Sequence, residues 1–315
     1  MDEKSPNRVV GLAAALYGVS ILLSRLVGLV RESVIGRTLG NGGEADVYWT
    51  AFILPDFLNY LLAGGVLSIV FIPIFQGYLS RGDETGAWRS FSIIGNALAL
   101  ILLILTAALW VSVPQLTPLI SPGFEPEKIE TLNRLVRIML PAQIFHLLGA
   151  LVSATLQARD QHLMPAIAPV VYTSCIVAGG VLLAPSMGAE GFAWGVLLGS
   201  ALGPFGCPLF GAIRTGIGWS PTLTLRHPDL RRYFLLALPV MLGFSAGVLD
   251  DMVVKHFAST LPEGVISRLQ YGRTLMKVPM GVFGLAMGIA AFPTLSRFFS
   301  RGQKEEAWAV LMRAL

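Results

Sequence analysis

Fifteen consecutive residues near the N-terminus, 9–23, carry no charge, and comparable runs recur along the rest of the chain. An apolar run of ~20 residues crosses a bilayer as a helix, whereas a membrane strand needs only ~9–11 residues of alternating character. The runs here are long and do not alternate. That feature confines the chain to the class of all-α polytopic membrane proteins. Composition excludes the soluble alternative, because 54% of residues are hydrophobic and 13% charged. A soluble domain carries about 25% charged residues, and this chain could not cover a surface facing water.

The hydropathy pattern predicts eight transmembrane helices and the start of a ninth. They run about 9–38, 45–79, 87–113, 127–158, 163–183, 191–213, 229–260 and 265–299, with the ninth beginning near Glu305. Pro55 and the Gly64-Gly65 pair interrupt the second span, and Pro279 the eighth. No small-residue cleavage site follows the first run, so it reads as a retained span and not a signal peptide. Cations collect in alternate loops: Lys4 and Arg8, Arg81 and Arg89, Arg159, Arg214, Arg226, Arg231 and Arg232, then Arg297, Arg301 and Lys304. The opposing loops 117–126 and 185–190 contain none. By the positive-inside rule the N-terminus is cytoplasmic.

An internal repeat refines the architecture. At an offset of 220, Pro73, Ser80, Arg81, Gly82, Ala87 and Trp88 recur as Pro293, Ser300, Arg301, Gly302, Ala307 and Trp308. The two copies are six spans apart and therefore share one orientation, which predicts a parallel repeat of six-helix lobes. Residues 1–220 are expected to form the complete N-terminal lobe and 221–315 the first part of a second. Two full copies need twice the offset, so the chain reads as a fragment truncated at its C-terminal side.

Charges inside the spans are the functional candidates, since a guanidinium at membrane depth is costly and usually faces a cavity. In SRLVGLVRES, Ser24 to Ser33, Arg25 lies about 24 Å along the first helix from Val9. Arg31 and Arg37 follow at steps of six, each rotated by ~240°, so the three wind around the helix. Arg25 is read as cavity-facing; for Arg31 a cavity role stays open beside snorkelling to the outer interface or pairing with Glu32, Glu44 or Asp46, and for Arg37 one of the latter two is favoured. Arg273 and Lys277 share one face at the start of the eighth span. Guanidiniums from two lobes would suit a pyrophosphate, whose oxygens they bind bidentately. Asp250 and Asp251 lie within the seventh span, as a coupling-cation site or as partners of a cation. Arg134 and Arg137 read as surface anchors, and His146 as a hydrogen-bonded packing residue. Cys175 and Cys207 lack CxxC spacing and predict neither a disulfide nor a metal site. No phosphate-binding loop, HExxH or nucleophile elbow occurs, so the chain reads as a transporter and not an enzyme. The net charge of +4 is accounted for by the loops and not by nucleic-acid binding.

Several of these stretches resemble one family. SRLVGLVRE (24–32), Asp46, Leu54-Pro55, FIPIF (71–75), SPGF (121–124), ARDQHLMPAIAPVVYT (158–173) and YGRTLMKVPMGVFGLAMGIAAFPTLSR (271–297) are similar to the MurJ/MviN lipid II flippases of the multidrug/oligosaccharidyl-lipid/polysaccharide exporter superfamily. The resemblance implies fourteen spans and movement of undecaprenyl-pyrophosphate-linked peptidoglycan precursor across the bacterial inner membrane. It implies a cationic cavity, alternating access driven by the membrane potential or a monovalent cation (sodium or proton), and a monomeric full-length protein needing no other cofactor. Carried over by position, it implies Arg25, Arg31, Asp46 and Arg273 as site residues, with Ser24 and Lys277 beside them. The chain departs from the family at Asn59, Tyr60 and Gly64, where an arginine pair and a glutamate are usual. That departure keeps open a flippase for another polyprenyl-linked oligosaccharide, and beside it a structural membrane subunit that transports nothing.

Overall fold

The protein is described by a computed structural model covering residues 23–62 and 67–277, with Phe298, Gln303, Trp308 and Met312 beyond them. Pro279 and most of the second repeat copy lie outside these residues, as do the first and last parts of the predicted first and eighth spans. The chain divides into two compact units, Met1–Ser267 and Arg268–Leu315. Regular structure among the described residues is helical throughout.

In the first unit α1 covers 23–38. The predicted second span is built in pieces: α2 Gly43–Thr50, α3 Ile53–Leu62, a π-helical turn Leu67–Phe71 and α4 Ile72–Leu79. Proline explains the first break, because Pro55 has no N–H and its ring opposes the carbonyl four residues earlier. The next helix, α5, is a single run of 37 residues, Glu84–Ile120, started by Asp83 accepting the Gly86 N–H at 2.8 Å. It continues past the predicted end at 113, through Pro114 and Pro118. Pro114 cannot donate to the Trp110 carbonyl; Arg137 does so instead, at 3.4 Å, and stacks on the Trp110 ring at 4.8 Å.

The fourth span is α6 Pro126–Met139 and α7 Ala142–Gln157; the fifth is α8 Leu163–Leu182. A short α9, Ala184–Met187, leads to α10 Ala189–Ser200, a π-helical turn Ala201–Gly206 and α11 Cys207–Arg214, which together make the sixth. Helix α12, Pro228–Ala258, is the seventh, and α13, 265–277, opens the eighth. Five of these runs are long and apolar enough to cross a membrane: Glu84–Ile120, Pro126–Gln157, Leu163–Leu182, Ala189–Arg214 and Pro228–Ala258. Large apolar side chains such as Leu103, Val111, Leu182, Leu202 and Leu238 point outward, as the hydrocarbon requires.

With no hydrophobic drive between helices in lipid, close packing holds them together. Helices α8 and α10 meet through Gly179, Gly191 and Gly195, where a Cβ on Gly179 would stand 2.6 Å from the Gly191 carbonyl oxygen. Tyr48, Trp49, Phe52 and Phe192 form an aromatic cluster of edge-on and tilted pairs with ring centroids 5.2–5.9 Å apart. Helix α12 packs on α3 and α5. The segment before α12 is strapped along α5: Asn96 donates to the carbonyls of Ser220 and Thr222 and accepts from the Trp219 indole. The expected lobe boundary at 220/221 falls within this strap.

Candidate functional site

The two ends of the first unit are chemically distinct. At the cation-rich end, Arg159 pairs with Glu84 and stacks on Trp88 at 4.8 Å. There the Tyr78 hydroxyl donates to Asp229 at 2.7 Å, joining α4 to the start of α12. At the cation-poor end the short helix α2 is the organiser. Glu44 accepts the Ala189 N–H at 2.9 Å, capping α10. Gly188, just before it, has φ +56°, and any side chain there would run into the Glu44 carboxylate.

Asp46 does the same for α13. Its carboxylate, 4% exposed, accepts the Gly264 N–H at 2.6 Å and the Ser267 N–H at 2.7 Å. Carboxylates satisfy the orphan donors of a helix N-terminus and favour its positive end. Around it Lys128 pairs with Glu263, the Gly123 N–H donates to the Ser259 hydroxyl at 3.2 Å, and His256 bonds the Leu119 carbonyl at 2.9 Å. The loop 259–264 is thus tied to the ends of α2, α5 and α6. The Lys128 ammonium holds the Glu263 carboxyl below the usual glutamate range.

Arg25 and Arg31 both lie on α1, partly buried, with Ser24 beside Arg25. Arg31 donates to Glu32 at 2.6 Å; the side chains are 25% and 9% exposed. The Arg31 Nε and the second Glu32 oxygen are buried and find no hydrogen-bond partner among the described residues. Of the three acids the sequence offered to Arg31, Glu32 takes it, while Glu44 and Asp46 are committed to caps. Arg37 is exposed. Within the lobe His146 bonds the Ser200 hydroxyl at 3.0 Å, next to the π-helical turn, and Arg134 bridges Glu130 and Glu190.

On α12, Asp250 is exposed and Asp251 forms an ion pair with Lys255 at 2.7 Å. Lys255 is 6% exposed and also donates to the Trp49 carbonyl at 2.8 Å. Sequence reading passed over this lysine, although its four-residue spacing from Asp251 is the helical ion-pair signature. In the second unit Arg273 is partly buried and Lys277 exposed on one face of α13. Asn59 and Tyr60 lie near the end of α3; Gly64 falls outside the described residues. No group of three metal-ligating side chains occurs among the described residues.

The sequence model described as lipid II flippase MurJ matches residues 35–315. The chain belongs to the lipid II flippase MurJ family. It is 30% identical over 315 residues to the lipid II flippase MurJ of Burkholderia cenocepacia, covering 96% of this chain and 60% of that protein. A Rhizobium tropici relative named "Probable lipid II flippase MurJ" is 28% identical over 308 residues, covering 95% of this chain and 57% of its own length. The chain therefore spans less than two thirds of these curated relatives. Among solved structures, a lipid II flippase MurJ in an inward closed conformation superposes with TM-score 0.75 at 24% identity, over 90% of this chain and 58% of that one. An inward-facing multidrug resistance MATE family transporter gives 0.67 at 16%, over 95% and 69%. The chain thus shares its fold with that transporter as well. The expected all-α membrane transporter class is met.

Proposed function

We propose that the full-length protein is a flippase carrying undecaprenyl-pyrophosphate-linked peptidoglycan precursor, lipid II, from the inner to the outer leaflet of the bacterial inner membrane. It works as a monomer by alternating access, without covalent chemistry. Its N-terminus is cytoplasmic, so the cation-rich end faces inward and the Asp46 end outward. The observation that carries the reading is the Arg31–Glu32 pair of α1, a part-buried arginine on a buried glutamate with one buried nitrogen and one buried oxygen uncommitted, in a chain of this family. Buried charged atoms without a hydrogen-bond partner are costly, and a phosphate ligand would supply the acceptor that the Arg31 Nε lacks.

In this reading Arg25, Arg31 and Arg273 receive the pyrophosphate, with Ser24 and Lys277 beside them. Fixed guanidinium forks bind phosphate oxygens bidentately and lose little entropy in doing so. Asp46 acts through structure: its bonds to Gly264 and Ser267 close the outward end and must break when that end opens. Exchange is driven by the membrane potential or a monovalent cation. Asn59 and Tyr60, at positions where the family usually has arginines, favour as a second reading another polyprenyl-linked oligosaccharide.

Complementation separates them. In cells depleted of their own flippase, the full-length protein should restore lipid II export and cell shape, and Arg25→Ala or Arg273→Ala should abolish rescue. Failure of the intact protein to rescue, with normal membrane insertion, would turn the assignment to the second substrate class.

A further inference from the structure

We infer that Lys255 is a built-in cation, occupying with its ammonium group a position that Asp251 and the end of α2 would otherwise offer to a monovalent metal ion. The two oxygens that face it are a carboxylate oxygen of Asp251 at 2.7 Å and the main-chain carbonyl of Trp49 at 2.8 Å. Carbonyl ends of interrupted helices are among the groups that coordinate sodium in membrane transporters, and a carboxylate beside one adds the balancing charge. Helix α2 supplies that end. It stops at Thr50 ahead of Pro55.

Lysine is almost never buried without a partner, and Lys255 is 6% exposed in the last turn of a membrane-spanning helix. Three features balance its charge. Asp251 lies four residues before it, in the favourable acid-to-base order, the C-terminal end of α12 favours a cation, and the Trp49 oxygen accepts from it. A tethered ammonium is present in every molecule, so a dissolved ion gains nothing by competing for the same oxygens. The carboxylate most exposed by sequence to suspicion as a coupling-ion ligand is thus neutralised from within its own helix. The inference concerns occupancy of one position and holds whatever lipid the protein carries.

The test uses the purified full-length protein in detergent, with Na+ titrated against choline at constant ionic strength and the unfolding temperature as readout. Native protein and Asp251→Asn should give the same Na+ response, because the carboxylate is not a ligand for the dissolved ion. Lys255→Met should acquire a Na+-dependent stabilisation of about 2–4 °C, absent from Lys255→Met/Asp251→Asn. A folded Lys255→Met that ignores Na+ would overturn the inference. So would a change in the Na+ response on Asp251→Asn alone, an arm that decides the matter even if Lys255→Met does not fold. Neither readout requires transport, so failure of the substrate assignment leaves the result interpretable.

Discussion

Single side chains in this protein do opposite jobs with the same chemistry. Asp46 and Glu32 are both buried carboxylates near one end of the first unit, yet Asp46 has both oxygens hydrogen-bonded to backbone and Glu32 has one oxygen unspent. Asp46→Ala should therefore lower stability by about 2–3 kcal/mol, since it strands two buried N–H donors that bond a charged acceptor. Equilibrium unfolding of the full-length protein checks this, and a loss below about 0.5 kcal/mol, the level of an ordinary surface change, would remove Asp46 from its capping role. Arg31→Met strands Glu32 in the interior at a cost of about 3 kcal/mol. The double variant Arg31→Met/Glu32→Gln should recover most of that stability but not rescue of flippase-depleted cells. Recovery of both would reduce Arg31 to a structural partner. The charges themselves were legible in the sequence, because an arginine or acid inside an apolar run is visible at once. Which acid meets which base was not, as the choice among Glu32, Glu44 and Asp46 is settled by helix ends that lie far away in the chain.

At the scale of elements, the helices are interrupted where proline removes donors or where neighbours come too close. The turn Ala201–Gly206 carries Pro204 and packs its carbonyl against Gly149 of α7, so closely that a Cβ at 149 has no room. Gly149→Ala should cost about 1–3 kcal/mol, the usual penalty of overpacking, read as a lower unfolding midpoint; an unchanged midpoint would mean the turn is free to move aside. The connection between α12 and α13 gives a pH dependence. Glu263 has its carboxyl lowered by Lys128, so the pair's contribution is present above the ordinary glutamate pKa and is lost as pH falls through the lower folded-state value. Glu263→Gln should lower stability slightly at neutral pH, where the pair is formed, and flatten the acid limb, so that the two proteins converge as pH falls below about 4.5. Thermal unfolding from neutral to acid pH measures it, and superimposable curves would discount the pair. Span limits at 163–183 and 191–213 in the sequence agree closely with Leu163–Leu182 and Ala189–Arg214, because hydropathy is a local property. The π-helical turns were not visible in the hydropathy, although Pro204 sits within one of them.

Across the whole molecule, contacts from Asp46, Lys128, Gly123, Leu119 and Trp49 converge on the C-terminal end of α12 and the loop after it. If this closed end opens during transport, Lys128→Cys/Glu263→Cys joined by a short cleavable bis-thiol reagent should stop rescue of lipid II export, and reduction should restore it. Full activity in the cross-linked state would show that opening occurs elsewhere.

Through its motifs the sequence by itself determined the family, and through its hydropathy the class and the approximate course of several spans. Class and spans follow from transfer of side chains and backbone into hydrocarbon, a cost each residue bears alone, so a linear reading suffices. Only the tertiary structure decided that Asp46 reaches Gly264 and Ser267, and that Lys255 reaches Trp49, across more than two hundred residues. Such pairings depend on which helix ends the packing brings together, and no local pattern encodes that. The physical division is between solvation, which is written residue by residue, and satisfaction of buried polar groups, which requires the partner to arrive.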